Sequence, residues 1–384
     1  MKKLLPIFLI GFFFSAHLSL LAYINSTMLS FFVEDKWVSI IFIISSALSL
    51  ALVFVIPKLI KKMGNSRFTT ITLTLSIILL FLIGNYSNIN LIIPIFILYY
   101  AFTNIISYSI DIFIEHYSKK GVIGNIRGLY LTLTSLGWVI MPFISGILTT
   151  DYSYKIVYII ASLLLIITIF ILVISQRNFK DSIYHDYNGS EIFKELKNMP
   201  EIRRIITLNF LLQFYFSWMV IYLPLYLKTF IGFNNFQLGT IFSIMLLPFV
   251  LFEYPAGKIA DKIKNGEKII IIIGLITMGF STILFSLITI KSLLIYSSIL
   301  FITRIGASIF QVSNDSYFFK RIDDKQTGLI GFYRNMQSLA YIIGPLFGII
   351  ILKFTSYSNL FMVLGLITLS GIIYALRIPN VQNK

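Results

Sequence analysis

GLYLTLTSLGWVIMP, residues 128–142, returns 203 residues further along as GFYRNMQSLAYIIGP, residues 331–345. Gly128, Tyr130, Ser135, Leu136 and Pro142 fall on Gly331, Tyr333, Ser338, Leu339 and Pro345. Nearly the same shift recurs elsewhere. A shift of 204 puts Ser109 and Asp111 on Ser313 and Asp315, and one of 200 puts Ile41, Phe42, Ile44, Lys58 and Lys62 on Ile241, Phe242, Ile244, Lys258 and Lys262. Single Ile or Leu matches mean little in an apolar chain, but a steady offset over three regions does. The chain reads as two homologous halves, the pattern by which many membrane carriers betray an internal duplication.

The halves are membrane-embedded. Of 384 residues 57% are hydrophobic and 12% charged, against roughly a quarter charged in soluble domains. A spanning helix needs about 20 mostly apolar residues. Such stretches lie near 4–25, 37–57, 68–87, 91–116, 128–149, 155–175, 203–228, 237–257, 268–290, 293–318, 329–352 and 358–376, numbered here helices 1 to 12. The fold class expected is therefore an all-α membrane protein, twelve transmembrane helices in two pseudo-symmetric six-helix bundles. The bundles are expected at 1–176 and 203–384, with a linker at 177–202. A membrane barrel would show alternating segments of about 10 residues instead of long continuous runs. The start, Met1-Lys2-Lys3 before an apolar run, mimics a signal peptide; the run continues to about Asn25 without a small-residue cleavage site, so it is read as an uncleaved first helix.

Charge sets the expected orientation. The net charge of +15 does not sit on a soluble basic patch, which argues against a nucleic-acid partner. With both termini cytoplasmic, Lys36, Lys155, Lys228, Lys291 and Lys353 face outward, Arg304 lies inside a span, and every other Lys and Arg of the 31 falls on the inner side. That asymmetry is what the positive-inside rule describes. The linker contains SEIFKELKNMP, where Ser190 can cap a short helix with Ile192, Phe193, Leu196 and Met199 on one side before Pro200. It is read as an amphipathic helix on the inner membrane surface; a regulatory role is the alternative.

The loop after helix 8, PAGKIADKIKNGEK, carries Gly257, Asp261 and Lys262 in the spacing of a known signature loop, and with the duplication the chain resembles the major facilitator superfamily over essentially its whole length. The matching loop after helix 2, PKLIKKMGNSR, keeps Gly64 and its basic residues but has Pro57 and Lys61 where the pattern wants glycine and aspartate. Helix 11 carries Gly344-Pro345-Leu346-Phe347-Gly348, similar to a glycine-proline element of helix 5 in exporters of that superfamily; helix 5 here offers Met141-Pro142 and then Gly146. The resemblance implies alternating access, a central path lined by helices 1, 4, 7 and 10, and protons as the commonest coupling ion.

Depth alone points to the same four helices. An ionisable group at the bilayer centre costs about 2.5–3.5 kcal/mol on insertion scales and persists where it faces a cavity or a partner. Arg304 is about halfway through helix 10, and Ser308, Gln311 and Asp315 follow at spacings of four, three and four on one face. His17, Asn104 and Gln213 lie near the middles of helices 1, 4 and 7. The other eight helices show no charge at comparable depth. These residues are the substrate-path candidates, Arg304 as an anion or carboxylate contact and His17 as a proton carrier. The competing readings are a structural arginine bonded to carbonyls and a packed histidine. Asp111 and Asp315 match across the repeat near the inner helix ends; Asp315 is about 16 Å along the axis from Arg304 at about 1.5 Å per residue. They are read as a gate or charge network with Lys62 and Lys262, and Asp261 as a latch on the amino terminus of helix 5. Tyr130 and Tyr333 are read as interface residues.

Function classes narrow accordingly. There are no cysteines, and His17, His116 and His185 are scattered, with no HExxH and no phosphate-cradling glycine loop. No enzyme, metal site or cofactor is expected. A channel or receptor would not predict a duplication with midplane polarity in equivalent helices. The expected function is a secondary transporter for a small solute, a monomer in the lipid bilayer. Heavy use of Ile, Lys, Asn, Phe and Tyr suggests an AT-rich prokaryotic genome and hence the cytoplasmic membrane.

Overall fold

The computed structural model describes residues 4–379 except 54, 86–87, 118–122, 152, 178, 180–188 and 323–326. Among the described residues there is no strand, and twelve helices are long and apolar enough to cross a membrane. They are Leu4–Ala22, Asp35–Val53, Asn65–Asn85, Ile89–Tyr117, Ile123–Asp151 and Tyr154–Ser175, then Pro200–Leu225, Asn235–Lys262, Gly266–Ser286, Leu293–Arg321, Thr327–Leu352 and Tyr357–Leu376, which are helices 1 to 12. Several run past the apolar stretches that predict them, because a helix continues after its sequence turns polar, as at Lys262 and Arg321. Pro94, Pro142, Pro248 and Pro345 sit inside helices, tolerated where neighbouring groups re-satisfy the freed carbonyls. Helix 7 closes in a π-helical turn, Tyr226–Phe230. Short helices follow helix 1 (Asn25–Leu29) and helix 2 (Ile56–Met63), and the linker forms a helix over Gly189–Asn198. In that linker Leu196 is buried and Lys194, Glu195 and Lys197 are exposed; the side chains of Ser190, Ile192 and Phe193 lie outside the described residues.

The chain divides into two compact units, Met1–Asp186 with Asn234–Ser243, and Tyr187–Phe233 with Ile244–Lys384. In the first, helix 1 packs on helices 4, 5 and 6, and helix 3 on helices 4 and 6. In the second, helix 7 packs on helices 10, 11 and 12, and helix 9 on helices 10 and 12. These five pairings match between the halves, as a duplicated sequence should fold. The loops repeat too: Gly64 and Asn265, just before helices 3 and 9, both have positive φ, 82° and 58°.

Many large apolar side chains stay exposed on the protein, among them Phe170, Ile174, Ile273, Phe280 and Phe354. On a soluble surface such a spread would drive aggregation; a hydrocarbon surround satisfies it. Inside, close approach replaces the hydrophobic drive that lipid cannot supply. A Cβ on Gly306 of helix 10 would lie 2.5 Å from the Met278 nitrogen and 2.7 Å from the Gly274 carbonyl oxygen of helix 9. Only glycine lets these backbones meet.

Candidate functional site: a polar stripe on helix 10

Helix 10 separates its chemistry by face. Gly306 and Phe310 meet Gly274 of helix 9, and on the opposite side run Arg304, Ser308, Gln311 and Asp315. Phe301 and Val312 flank the stripe toward helix 8, where Phe301 faces Phe252 at 6.3 Å between ring centroids and Val312 faces Gly257. Asn314 flanks it toward helix 7, donating to the carbonyl of Ile205. The stripe therefore looks out between helices 7 and 8.

Arg304 is only 1% exposed, yet no hydrogen bond or ion pair reaches its guanidinium from the described residues, and its Nε has no acceptor. What it touches is aromatic: the guanidinium carbon lies 5.6 Å from the ring centre of Tyr215 and 5.2 Å from that of Phe216, both on helix 7. Tyr215 is positioned in turn by its hydroxyl, which meets Thr282 Oγ1 of helix 9 at 3.1 Å. Gln213, half-buried, shares a helix face with Phe216, three residues on. Ser308 is buried and returns its hydroxyl to the Ile305 carbonyl, while Gln311 is half-buried.

Asp315 is held from helix 11. The Tyr333 hydroxyl donates to Asp315 Oδ1, Asn314 Nδ2 donates to the same hydroxyl at 2.9 Å, and Asn209 of helix 7 donates to the Tyr333 carbonyl at 2.8 Å. Phe318 stacks on the Tyr333 ring at 4.1 Å. Tyr333, one of the residues that reveals the duplication, thus joins helices 7, 10 and 11. Its counterpart Tyr130 packs on Gly11, where a Cβ would lie 2.1 Å from the ring.

In the first unit, His17 is fully buried with both ring nitrogens engaged, Nδ1 with the Phe14 carbonyl at 2.6 Å and Nε2 with the Tyr99 hydroxyl at 2.9 Å. Asn104 is half-buried and donates to Ser49 Oγ of helix 2 at 3.0 Å. Asp111 is half-buried near the C-terminal end of helix 4. Lys62 and Lys262 are exposed, and Gly257 is half-buried. The side chain of Asp261 and those at the amino terminus of helix 5 fall outside the described residues, and with them the expected latch. Two cations at the C-terminal end of helix 10 have acidic partners that the sequence did not announce: Lys320 with Glu267 at the start of helix 9, and Arg321 with Glu201 at the start of helix 7, each at 2.5 Å.

One residue of this region escaped the sequence reading. Glu253 of helix 8 lies four residues from the predicted inner end of its span, so midplane depth passes it over. Phe249, Glu253 and Gly257 lie at spacings of four on one helix face. Phe249 meets Phe216 at 6.1 Å, and Gly257 meets Val312, so Glu253 stands between them on the face turned toward the stripe. The aromatic partners Tyr215 and Phe216 were illegible for another reason, being lost among 36 Phe and 22 Tyr.

The family model for the Major Facilitator Superfamily matches residues 4–328 and residues 205–384. The chain belongs to that superfamily. The double match, with the second half fitting the model again on its own, is the duplication seen from outside. An MFS-type transporter of Methanocaldococcus jannaschii, itself uncharacterised, is 24% identical over 241 residues, which span 60% of each chain. Two crystal structures of the nucleoside transporter NupG share the fold. One, of a point mutant, has a TM-score of 0.74 at 13% identity over 98% of this chain and 99% of that one; the other scores 0.73 at 11% over the same shares. This member of the superfamily is therefore a multi-pass membrane protein, matched to its curated relative over 60% of that relative's length. The glycine-proline element of its helix 11 has a packing role in the structure: Trp218 Nε1 donates to the Gly344 carbonyl at 2.7 Å and the Tyr222 hydroxyl to the Pro345 carbonyl at 3.1 Å, docking helix 7.

Proposed function

We propose that this transporter is a secondary carrier which moves a small solute bearing an anionic group across the cytoplasmic membrane by alternating access, coupled to protons, with Arg304 as its principal charged contact. The observation that carries the reading is a 1% exposed guanidinium with no carboxylate or carbonyl on it among the described residues. A structural arginine in hydrocarbon is expected to be matched by such groups. Two aromatic faces hold this one and leave its in-plane donors for a guest, the geometry in which arginine binds carboxylate or phosphate.

Ser308, Gln311, Gln213 and Asn104 supply neutral hydrogen-bonding groups to the same path. His17, with both nitrogens already engaged, is the least available of the candidates. Asp111, Asp315, Gly257, Asp261 and Lys262 take the gating role. The basic inner loops support cytoplasmic termini, and the working unit is a monomer.

The test is a ligand screen by thermal shift on the purified protein, because a ligand at about 100 times its Kd stabilises the folded state by about 2.7 kcal/mol. Organic carboxylates and phosphates form one arm; nucleosides, the cargo named for the structural neighbour, form the neutral arm. Ligands from the anionic arm should stabilise wild type and fail on Arg304→Gln. Equal shifts in both proteins overturn the assignment of Arg304. Uptake of a hit into vesicles, with and without a proton gradient, then reads coupling.

A further inference from the structure

We propose that four phenylalanine rings and the Arg304 guanidinium close a collar in the second unit, and that this collar binds solutes with a flat aromatic body and a single carboxylate. The inference rests on the anionic-solute reading above and names the class of solute.

The collar is built pair by pair. The Arg304 guanidinium of helix 10 lies 5.2 Å from the centre of the Phe216 ring on helix 7. Phe216 meets Phe249 of helix 8 at 6.1 Å, the two rings inclined at 58°. Phe252 follows Phe249 by three residues, which makes their side chains neighbours on one helix surface. Phe252 in turn meets Phe301 of helix 10 edge-on, at 6.3 Å and 75°. Phe301 precedes Arg304 by three residues, and the circuit closes.

The circuit faces the interior of the unit. On helix 8 the exposed Leu251 and Tyr254 mark the lipid side, and at about 100° per residue Phe249 lies on the far side from both. On helix 7 Phe216 continues the face of Asn209 and Gln213, at spacings of four and three, a polar pattern that a lipid-facing side would not carry. Other rings on the inward sides of these helices, Phe214 and Phe310 among them, are buried, whereas all four collar rings are half-buried. An interior ring that its neighbours leave uncovered borders a space. Aromatic surface is therefore spare where Arg304, its Nε without an acceptor, has donors to spare.

The pairing of these two features selects the guest. A hydrophilic anion would satisfy the guanidinium and leave the rings without a partner; a neutral arene would do the reverse. Joined in one molecule, a carboxylate takes the in-plane donors of Arg304, and its ring enters among inclined rings whose edge-to-face contacts leave faces for another. One carboxylate suffices. Among the described residues no second cation stands in mid-span on helices 7, 8 or 10, and the other ionisable side chains along the stripe, Glu253 and Asp315, are acids.

The test is a thermal-shift titration of purified full-length protein, which needs no transport. The probes are phenylacetate, acetate as the anion without a ring, and phenylacetamide as the ring without a charge. Phenylacetate should half-saturate wild type at a concentration about 10-fold or more below acetate, since only it buries a ring. Arg304→Gln should lose the response to both anions. Phe249→Leu and Phe252→Leu keep apolar bulk and remove a ring, so each should weaken phenylacetate about 2–12-fold, the worth of one aromatic pair, with the response to acetate as in wild type. Phe249→Tyr, which keeps the ring, should keep the preference, and Phe280→Leu, on the exposed surface of helix 9, should match wild type. A common elution volume on size exclusion guards against misfolding. Acetate acting at the same concentration as phenylacetate, or an unaltered preference in both leucine variants, overturns the aromatic class and leaves the anionic reading standing. Phenylacetamide acting as well as phenylacetate, or no stabilisation by either anion, overturns both.

Discussion

Replacing Arg304 with methionine should make this protein more stable and less able to bind. The buried guanidinium costs about 2.5–3.5 kcal/mol to hold at mid-membrane depth. Its returns are the faces of Tyr215 and Phe216, at 5.6 and 5.2 Å; both are near the limit of about 6 Å for cation–π attraction, so each is worth about 0.5–1 kcal/mol. With no carboxylate on it, the residue carries a net cost of about 1–2 kcal/mol. Methionine keeps a long, flexible side chain against the two rings and removes the charge. The expected gain is about 1 kcal/mol, a rise of about 1–2 °C in the unfolding midpoint for a chain of this size, read by tryptophan fluorescence in detergent. The thermal shift given to wild type by an anionic ligand should vanish in the same variant. A structural arginine predicts the reverse pair of results, so a lowered midpoint with ligand binding intact would refute the reasoning.

Trp218→Phe removes the indole donor from the Gly344 carbonyl and leaves a buried acceptor unpaired, a loss of about 1–3 kcal/mol in denaturant unfolding; an unchanged midpoint would mean that water fills the gap. Asn265→Val should destabilise by about 1–2 kcal/mol because its φ of 58° is left-handed, whereas Asn265→Gly should be neutral or better in the same melt. Gly306→Val should fail to yield a monodisperse protein on size exclusion, since its side chain would meet backbone atoms of helix 9 at 2.5 and 2.7 Å; a variant folded with a wild-type midpoint would show that the helix 9–10 contact can open at little cost.

The fold was legible because two of its determinants are written in long stretches: twelve apolar runs and a steady offset between halves. Gly128-x-Tyr130 and Gly331-x-Tyr333 show the limit of that legibility. The match announced the duplication, but not that Tyr333 holds Asp315 or that Tyr130 packs on Gly11. Depth counting located Arg304 and its stripe, because a charge inside an apolar run is conspicuous. It could not name Tyr215 and Phe216, whose meaning depends on which of many rings faces helix 10. It overlooked Glu253 because nearness to a span's end is a property of sequence, and nearness to a polar stripe is a property of packing. The ion pairs of Lys320 and Arg321 with the first turns of helices 9 and 7 are of the same kind, since their partners are far apart in the chain.

Helix 10 puts a close packing contact on one side and the proposed binding residue on the other. Its Gly306 side brings its backbone against that of helix 9 at Gly274 and Met278. Its opposite side carries a cation held only by ring faces and an aspartate held by a tyrosine. A residue locked in a carboxylate pair would have to pay the separation of that pair before binding anything. On the proposed reading Arg304 avoids this, because among the described residues no carboxylate reaches it and a solute anion would meet no competing partner there. The Gly306 contact fixes helix 10 against helix 9 and with it the depth at which Arg304 stands.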